Sequence, residues 1–231
     1  MNILLPSSGR RYLHIKYFKE CLGVDKVITT DIDPLSPGIH AADKCYKVPV
    51  VSSDEYLPAI LEICLKEEIT VIIPLLDTDI LIFSRNRAMF ETNGIHFLLS
   101  AEETIEIALD KFATAEFLNS NSLPSPKTVI PNEAILPALE YPVLIKPRFP
   151  ALRIGKGYDI SVITCKNDLD QVMSEITGNE ENYVFQEYLT GEELSIDFFC
   201  DRNGKYIIDV PALRMSALTT AFSKNGGTMD K

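Results

Sequence analysis

Hydrophobic and polar positions in the first hundred residues alternate between two periods. Short aliphatic or β-branched runs bounded by turn residues read as strands: NILLP, KVITTDI, CYKVPVV, ITVIIPLL and IHFLLS. Between them, SDEYLPAILEICLKEE and DTDILIFSRNRAMFETNG carry apolar residues at helical spacing. Each helical segment starts near a Ser or Asp suited to capping, and the second ends at Gly94, a residue that can close a helix in the left-handed region. Buried aliphatic strands alternating with such helices predict a parallel sheet wound with helices, an α/β unit over residues 1–100.

Beyond residue 100 the pattern changes. In SAEETIEIALDKFATAEFLNSNSLPSPKT, Ser100 and Glu103 have capping-box spacing, Asp110 can cap a second helical segment, and two prolines end it. Residues 101–126 therefore read as a helical linker. From residue 127 to 231 the runs YPVLIKP, GYDISVITC, NYVFQEYL and EELSIDFFC with KYIIDVP predict antiparallel strands, with one helix in DLDQVMSEITG. Asn203-Gly204 marks the turn of the last hairpin. An α+β unit thus follows the wound one.

Composition narrows the class. The chain has 231 residues, enough for one large or two small domains, and no run approaches the roughly 18 apolar residues of a membrane span. In MNILLPSSGRR the charges follow the apolar run, the reverse of a secretory signal, so a cytoplasmic protein without a membrane partner is expected. Five cysteines with no CxxC spacing predict reduced thiols serving as small buried hydrophobes, not a metal cluster. A net charge of −11 argues against a nucleic-acid partner.

Against that acidic background, Lys146, Arg148, Arg153 and Lys156 gather around Gly155 and Gly157 between two strand-like runs. Strand alternation puts Val143 and Ile145 on one face and Leu144 and Lys146 on the other, so the second face turns cationic at the strand end. A glycine-containing loop there can aim backbone N–H groups at phosphate oxygens, with Lys and Arg closing over them. A solvated basic hairpin is the alternative. Lys111 is a cation in a first helical turn, where it opposes the helix dipole; it reads as a surface lysine or as a group facing an anion. Asp31 and Asp33 end the second strand where a dinucleotide fold keeps its ribose-binding acid. However, PSSGRRYLH has a single glycine, so NAD binding is not expected. Asp79 reads as a helix cap or a contact for a substrate amine, and Arg10 and Arg11 as contacts for a carboxylate or for solvent.

In their order, these segments resemble the ATP-grasp superfamily, and most closely short proteins resembling half of a carbamoyl phosphate synthetase large subunit. MNILLPSSGRR, DIDPLSPGIHAADKCYKVP and VIIPLLDTD are similar to its N-terminal, Rossmann-like pre-ATP-grasp domain. ALDKFATAEFLNSNSLPSPKT, YPVLIKP and VFQEYLTGEELSIDFFCDRNGK are similar to successive parts of its ATP-grasp domain. The resemblance implies an ATP-dependent ligase that activates a carboxylate or bicarbonate as an acyl phosphate for attack by an amine or thiol. It implies ATP and Mg²⁺ as cofactors and a small carboxylate and amine as substrates. Carried over by position, Lys111 and Lys146 contact phosphates and Lys156 folds over the terminal one. Gln186, Glu187, Tyr188 and Leu189 form the adenine hinge, and Glu193 accepts from the ribose. The family's metal ligands, a Glu followed by E-x-N, have no counterpart after Val210, and Asp197 and Asp209 do not match them. The ATP-grasp domain is therefore expected to be incomplete at its C-terminus, with metal ligands beyond residue 231. Such a chain would be a fragment or a short form completed by a partner, in a homodimer or with a complementing subunit, and inactive alone. A nucleotide-binding module that has lost its metal site is the other reading.

Overall fold

The structure, a computed structural model, describes residues 1–132, 140–150, 160–201 and 203–214. Five strands, β1 (Asn2–Leu5), β2 (Lys26–Asp31), β3 (Lys44–Lys47), β4 (Ile69–Ile72) and β5 (His96–Phe97), form a parallel sheet in the order β3-β2-β1-β4-β5. The chain winds outward from β1 to β3 and then restarts beside β1 with β4. The order thus reverses at β1/β4, where sheets of this type open a crevice at their carboxyl ends. Helices α1 (Tyr12–Glu20), α2 (Tyr56–Lys66), α3 (Asp77–Arg85) and α4 (Arg87–Glu91) connect the strands. Leu4 and Ile28 enter one core with Tyr56, Ile60, Phe83, Phe90 and Phe97, while Ile3, Leu5 and Val27 enter another with Ile15 of α1. Successive residues of one strand are buried on opposite sides, which is why these strands read as unbroken apolar runs. Phe83 anchors the larger core, with Phe90 edge-on at 5.5 Å and Phe97 at 5.4 Å between ring centroids.

Several local expectations need correction. The helix expected over residues 77–94 is two helices, broken at Asn86, whose side-chain amide donates to the Ile82 carbonyl at 2.8 Å. Gly94 does take the left-handed conformation, at φ +74°. The expected side-chain caps are not made: α2, α3 and α5 (Glu102–Leu109) begin after Glu55, Leu76 and Ala101, none of which caps through its side chain. Ser53 and Ser100 lie too early. The Ser53 hydroxyl accepts from Glu55 N–H in the turn before α2, and the Ser100 carbonyl accepts from Arg87 instead. Acids in the first turns of α3 and α5 complement the helix dipole in place of caps. Of the cysteines, Cys64 is buried as expected, but Cys21 and Cys165 are exposed because each sits at a helix boundary.

After α5 and α6 (Lys111–Ser120), strands β6 (Thr128–Val129), β7 (Val143–Pro147), β8 (Ser161–Ile163) and β9 (Tyr183–Glu187) pair antiparallel in the order β6-β9-β7-β8. Helix α7 (Lys166–Ile176) lays Leu169, Val172 and Ile176 against Val143, Ile145, Ile163, Tyr183 and Phe185 on one face of this sheet. The chain divides into two compact units, Met1–Glu187 and Tyr188–Lys231. In the second, β10 (Glu193–Cys200) and β11 (Tyr206–Arg214) form an antiparallel hairpin. Its turn is built on Asp201, whose Oδ1 accepts from Asn203 N–H at 2.8 Å and Lys205 N–H at 2.9 Å, with Gly204 at φ +76°. Among the described residues, no helix is long and apolar enough to cross a membrane.

Candidate functional site

In the four-stranded sheet, α7 covers the side bearing Val143, Ile145 and Phe185, so residues of opposite parity face away from that core. Leu144 and Lys146 of β7, Gln186 of β9 and Thr128 of β6 share this second face, as the alternation predicted for the lysine. The register sets Gln186 opposite both Thr128 and Leu144, and Lys146 is one diagonal step along. The Lys146 ammonium donates to Gln186 Oε1 at 2.6 Å, Gln186 Nε2 donates to Thr128 Oγ1 at 2.9 Å, and that hydroxyl donates to the Pro126 carbonyl at 2.9 Å. Lys146 and Gln186 are half-buried, whereas Thr128 is buried. Among the described residues, this face carries the Lys146 ammonium, oriented by Gln186 near the end of β7.

Residues just past β7 are tied to the start of α6. Both Lys111 N–H and the Lys111 ammonium donate to the Arg148 carbonyl, at 3.2 and 3.4 Å. Arg148 in turn grips Asp110 through two parallel bonds, Nε to Oδ1 at 2.8 Å and Nη2 to Oδ2 at 2.6 Å. Asp110 also caps α6 as its sequence position suggested, with Oδ1 accepting from Phe112 N–H at 2.9 Å and Ala113 N–H at 3.2 Å. Burial would raise the Asp110 carboxyl, but the Arg148 bonds and the two helix N–H donors hold it below the usual carboxylate range. The guanidinium lies 5.6 Å from the Phe112 ring and 4.9 Å from the Phe149 ring. Arg148, counted in the sequence as a cation for an anionic ligand, is thus committed to Asp110. It pins the start of the basic loop to the helix that presents Lys111.

Glu187 stands at the end of β9, its N–H bonded to the Lys127 carbonyl at 2.8 Å and its carboxylate accepting from Lys127 N–H at 3.1 Å. Tyr188 and Leu189 open the second unit, Leu189 being exposed. Glu193 starts β10 opposite Arg214. Lys156 and Arg153 lie outside the described residues.

The crevice of the parallel sheet carries a different set. Gly9 N–H donates to Asp31 Oδ2 at 2.7 Å, Ser8 N–H to the Thr30 carbonyl at 3.2 Å and Arg11 N–H to the Ser8 carbonyl at 2.6 Å. The amides of the turn after β1 are thus bonded to the protein. Arg10 is exposed, and the Arg11 guanidinium donates to the Leu75 carbonyl at 3.5 Å. Asp79 is not the expected helix cap. It is fully buried, its Oδ1 accepting from the Tyr56 hydroxyl at 2.7 Å, while Oδ2 has no hydrogen-bond partner among the described residues. Burial pushes its pKa up against the pull of the Tyr56 hydroxyl, and the nearby Asp31 adds to the rise.

In the hairpin, Asp197 and Asp209 are exposed, and the Tyr206 hydroxyl donates to Asp209. No group of three or more His, Cys, Asp or Glu among the described residues could hold a metal ion.

Comparison with known proteins matches two families along the chain. A family described as "ATP-grasp domain" matches residues 108–231, and one described as "PylC-like, N-terminal domain" matches residues 3–98. The D-alanine–D-alanine ligase of Petrotoga mobilis is 29% identical over 121 residues, which are 52% of this chain and 39% of that protein. The N5-carboxyaminoimidazole ribonucleotide synthetase of Thermotoga maritima superposes with a TM-score of 0.66 at 20% identity, over 97% of this chain and 58% of that one. The N5-carboxyaminoimidazole synthetase of Staphylococcus aureus, solved with ADP, gives 0.65 at 16% identity, over 91% of this chain and 54% of that one. At such identities the two structures show the fold alone. This chain spans well under two thirds of each of the three.

Proposed function

Because the chain belongs to the ATP-grasp family, we propose that it is the N-terminal and nucleotide-binding part of an ATP-dependent ligase joining a carboxylate or bicarbonate to an amine or similar nucleophile. The observation that carries this reading is the meeting of two cationic elements. Lys146, next to last in β7, lies on the sheet face opposite α7, and two residues later the chain is bonded to the Lys111 that begins α6. Amine side chains at such a junction suit a polyphosphate, because Lys supplies a compact charge with three donors.

ATP, when bound, supplies the phosphoryl group that turns the carboxylate into an acyl phosphate. The protein's own work is to position and to neutralise charge. In this proposal Lys146 and Lys111 hold the phosphates and Lys156 closes over them. The run Gln186, Glu187, Tyr188 and Leu189 borders the adenine, with backbone groups reading its edge, and Glu193 accepts from the ribose. We place the wound domain at residues 1–100, the helical linker at 101–126 and the ATP-grasp domain from residue 127. Magnesium has no fitting set of donors among the described residues; because the family's Glu and E-x-N ligands have no counterpart after Val210, they are proposed to lie beyond residue 231. The likeness to half of a carbamoyl phosphate synthetase rests on the sequence motifs, and the relatives named above support the broader class of carboxylate ligases.

The test is Mg²⁺-dependent ADP release with panels of amino acids and bicarbonate. Residues 1–231 alone are expected to release little or none, and a polypeptide carrying a Glu and E-x-N segment downstream to do so with an amine and a carboxylate present. Robust turnover by the 231-residue chain would overturn the proposed place of the metal ligands. A second reading, a nucleotide-binding module without catalysis, predicts ATP binding but no turnover in the complete polypeptide.

A further inference from the structure

We propose that Thr128 is a positioning residue for the phosphate-binding lysine, acting through the Gln186 amide to fix where the Lys146 ammonium stands. The inference rests on the assignment of Lys146 to the nucleotide phosphates and gives a role to the threonine that closes the LPSPKT run.

Donor and acceptor chemistry gives the chain of bonds a single direction. An ammonium has three donors and no acceptor, so Gln186 must turn its carbonyl oxygen to Lys146, at 2.6 Å. The amide nitrogen then faces Thr128 Oγ1 at 2.9 Å and needs a lone pair there. A hydroxyl has one hydrogen, and that of Thr128 goes to the Pro126 carbonyl at 2.9 Å, leaving its lone pairs toward Gln186. Were the amide reversed, its NH₂ would meet the ammonium donor to donor. Thr128 is buried, so water is not at hand to replace the hydroxyl. The sheet register places Thr128 directly across from Gln186, and the backbone ladder thereby fixes both ends of the contact.

The experiment compares Thr128→Val, which keeps shape and loses the hydroxyl, with Thr128→Ser, which keeps the hydroxyl, after thermal melts confirm folding. Two readouts are taken: side-chain order of Lys146 by NMR of ¹³C-labelled lysine, assigned with Lys146→Arg, and titration with ATP and with adenosine. Thr128→Val should loosen Lys146 measurably relative to wild type and weaken ATP roughly two- to tenfold, the worth of one hydrogen bond. Adenosine affinity should be unchanged, and Thr128→Ser should match wild type in both readouts. Added to Gln186→Leu, Thr128→Val should cost nothing more. If Thr128→Val fails to fold, Gln186→Met, which removes the amide and keeps its length, should produce the same two changes. Unchanged Lys146 order in Thr128→Val or in Gln186→Met, or equal losses in Thr128→Ser and Thr128→Val, would overturn the proposal. If wild type binds no ATP, the nucleotide reading fails by itself, and the NMR comparison still decides the positioning role.

Discussion

Replacing Asp110 by alanine removes two structural ties with one carboxylate. The first is the cap of α6, where Oδ1 accepts from Phe112 and Ala113 N–H, and losing it costs about 1 kcal/mol. The second is the two-bond grip on Arg148, a charge-assisted contact between side chains only 11% and 22% exposed. Hydrogen bonds to charged groups contribute roughly 1.5–3 kcal/mol, so Asp110→Ala should cost about 2.5–4 kcal/mol in all. In a unit of this size that lowers the melting temperature by roughly 5–15 °C. Arg148→Met should cost less, by about the worth of the cap, because Asp110 keeps its two helix donors. The double variant should fall short of additivity by roughly the ion-pair share. The pH dependence has a definite sign. The folded carboxyl of Asp110 lies below its usual range, so the unfolded chain takes up the proton first on acidification. The contribution is therefore fully present above the ordinary Asp range near pH ~4 and is lost as pH falls through the depressed folded value. Urea unfolding of the four proteins between pH 3 and 8 reads all of this. A cost for Asp110→Ala under about 0.5 kcal/mol, strict additivity, or a gap that widens toward acid would refute the reasoning.

Asp79 should show the opposite pH signature. Its folded pKa is raised by burial, so the folded state holds the proton longer, and Asp79→Asn should gain stability relative to wild type as pH rises above the ordinary Asp range. Gly38→Ala should destabilise the wound unit by about 1–3 kcal/mol, since a Cβ there would meet the Gly9 carbonyl at 2.8 Å and the Ser8 carbonyl at 3.2 Å; urea midpoints measure it. Phe83→Ala should cost about 3–5 kcal/mol in the same assay, because Phe83 is fully buried against Phe90 and Phe97.

The wound sheet was legible in the sequence because its strands are buried on both sides, and two-sided burial writes itself as aliphatic runs such as NILLP. Lys146 could be placed on its face from alternation alone, since a strand has only two sides. Helix starts were less legible: a Ser one or two residues early looks like a cap but cannot reach the first free N–H groups, as Ser100 shows. The fate of Arg148 was not readable at all. Its partner lies 38 positions away, and counting cations in a loop says nothing of which are already neutralised. Thr128 closes the LPSPKT run that carried part of the resemblance, but its contact was not readable, because a hydroxyl that orients an amide across a sheet depends on register.

The central claim is that Lys146 presents its charge to the phosphates of a nucleotide. Calorimetric titration of the 231-residue chain and of Lys146→Ala with MgATP, with GTP and NADH as controls, tests it most directly. The account predicts that wild type binds ATP in preference to both controls and that Lys146→Ala binds it at least tenfold more weakly, about 1.4 kcal/mol. Equal affinity in the two proteins, or no preference for ATP over NADH, would contradict it.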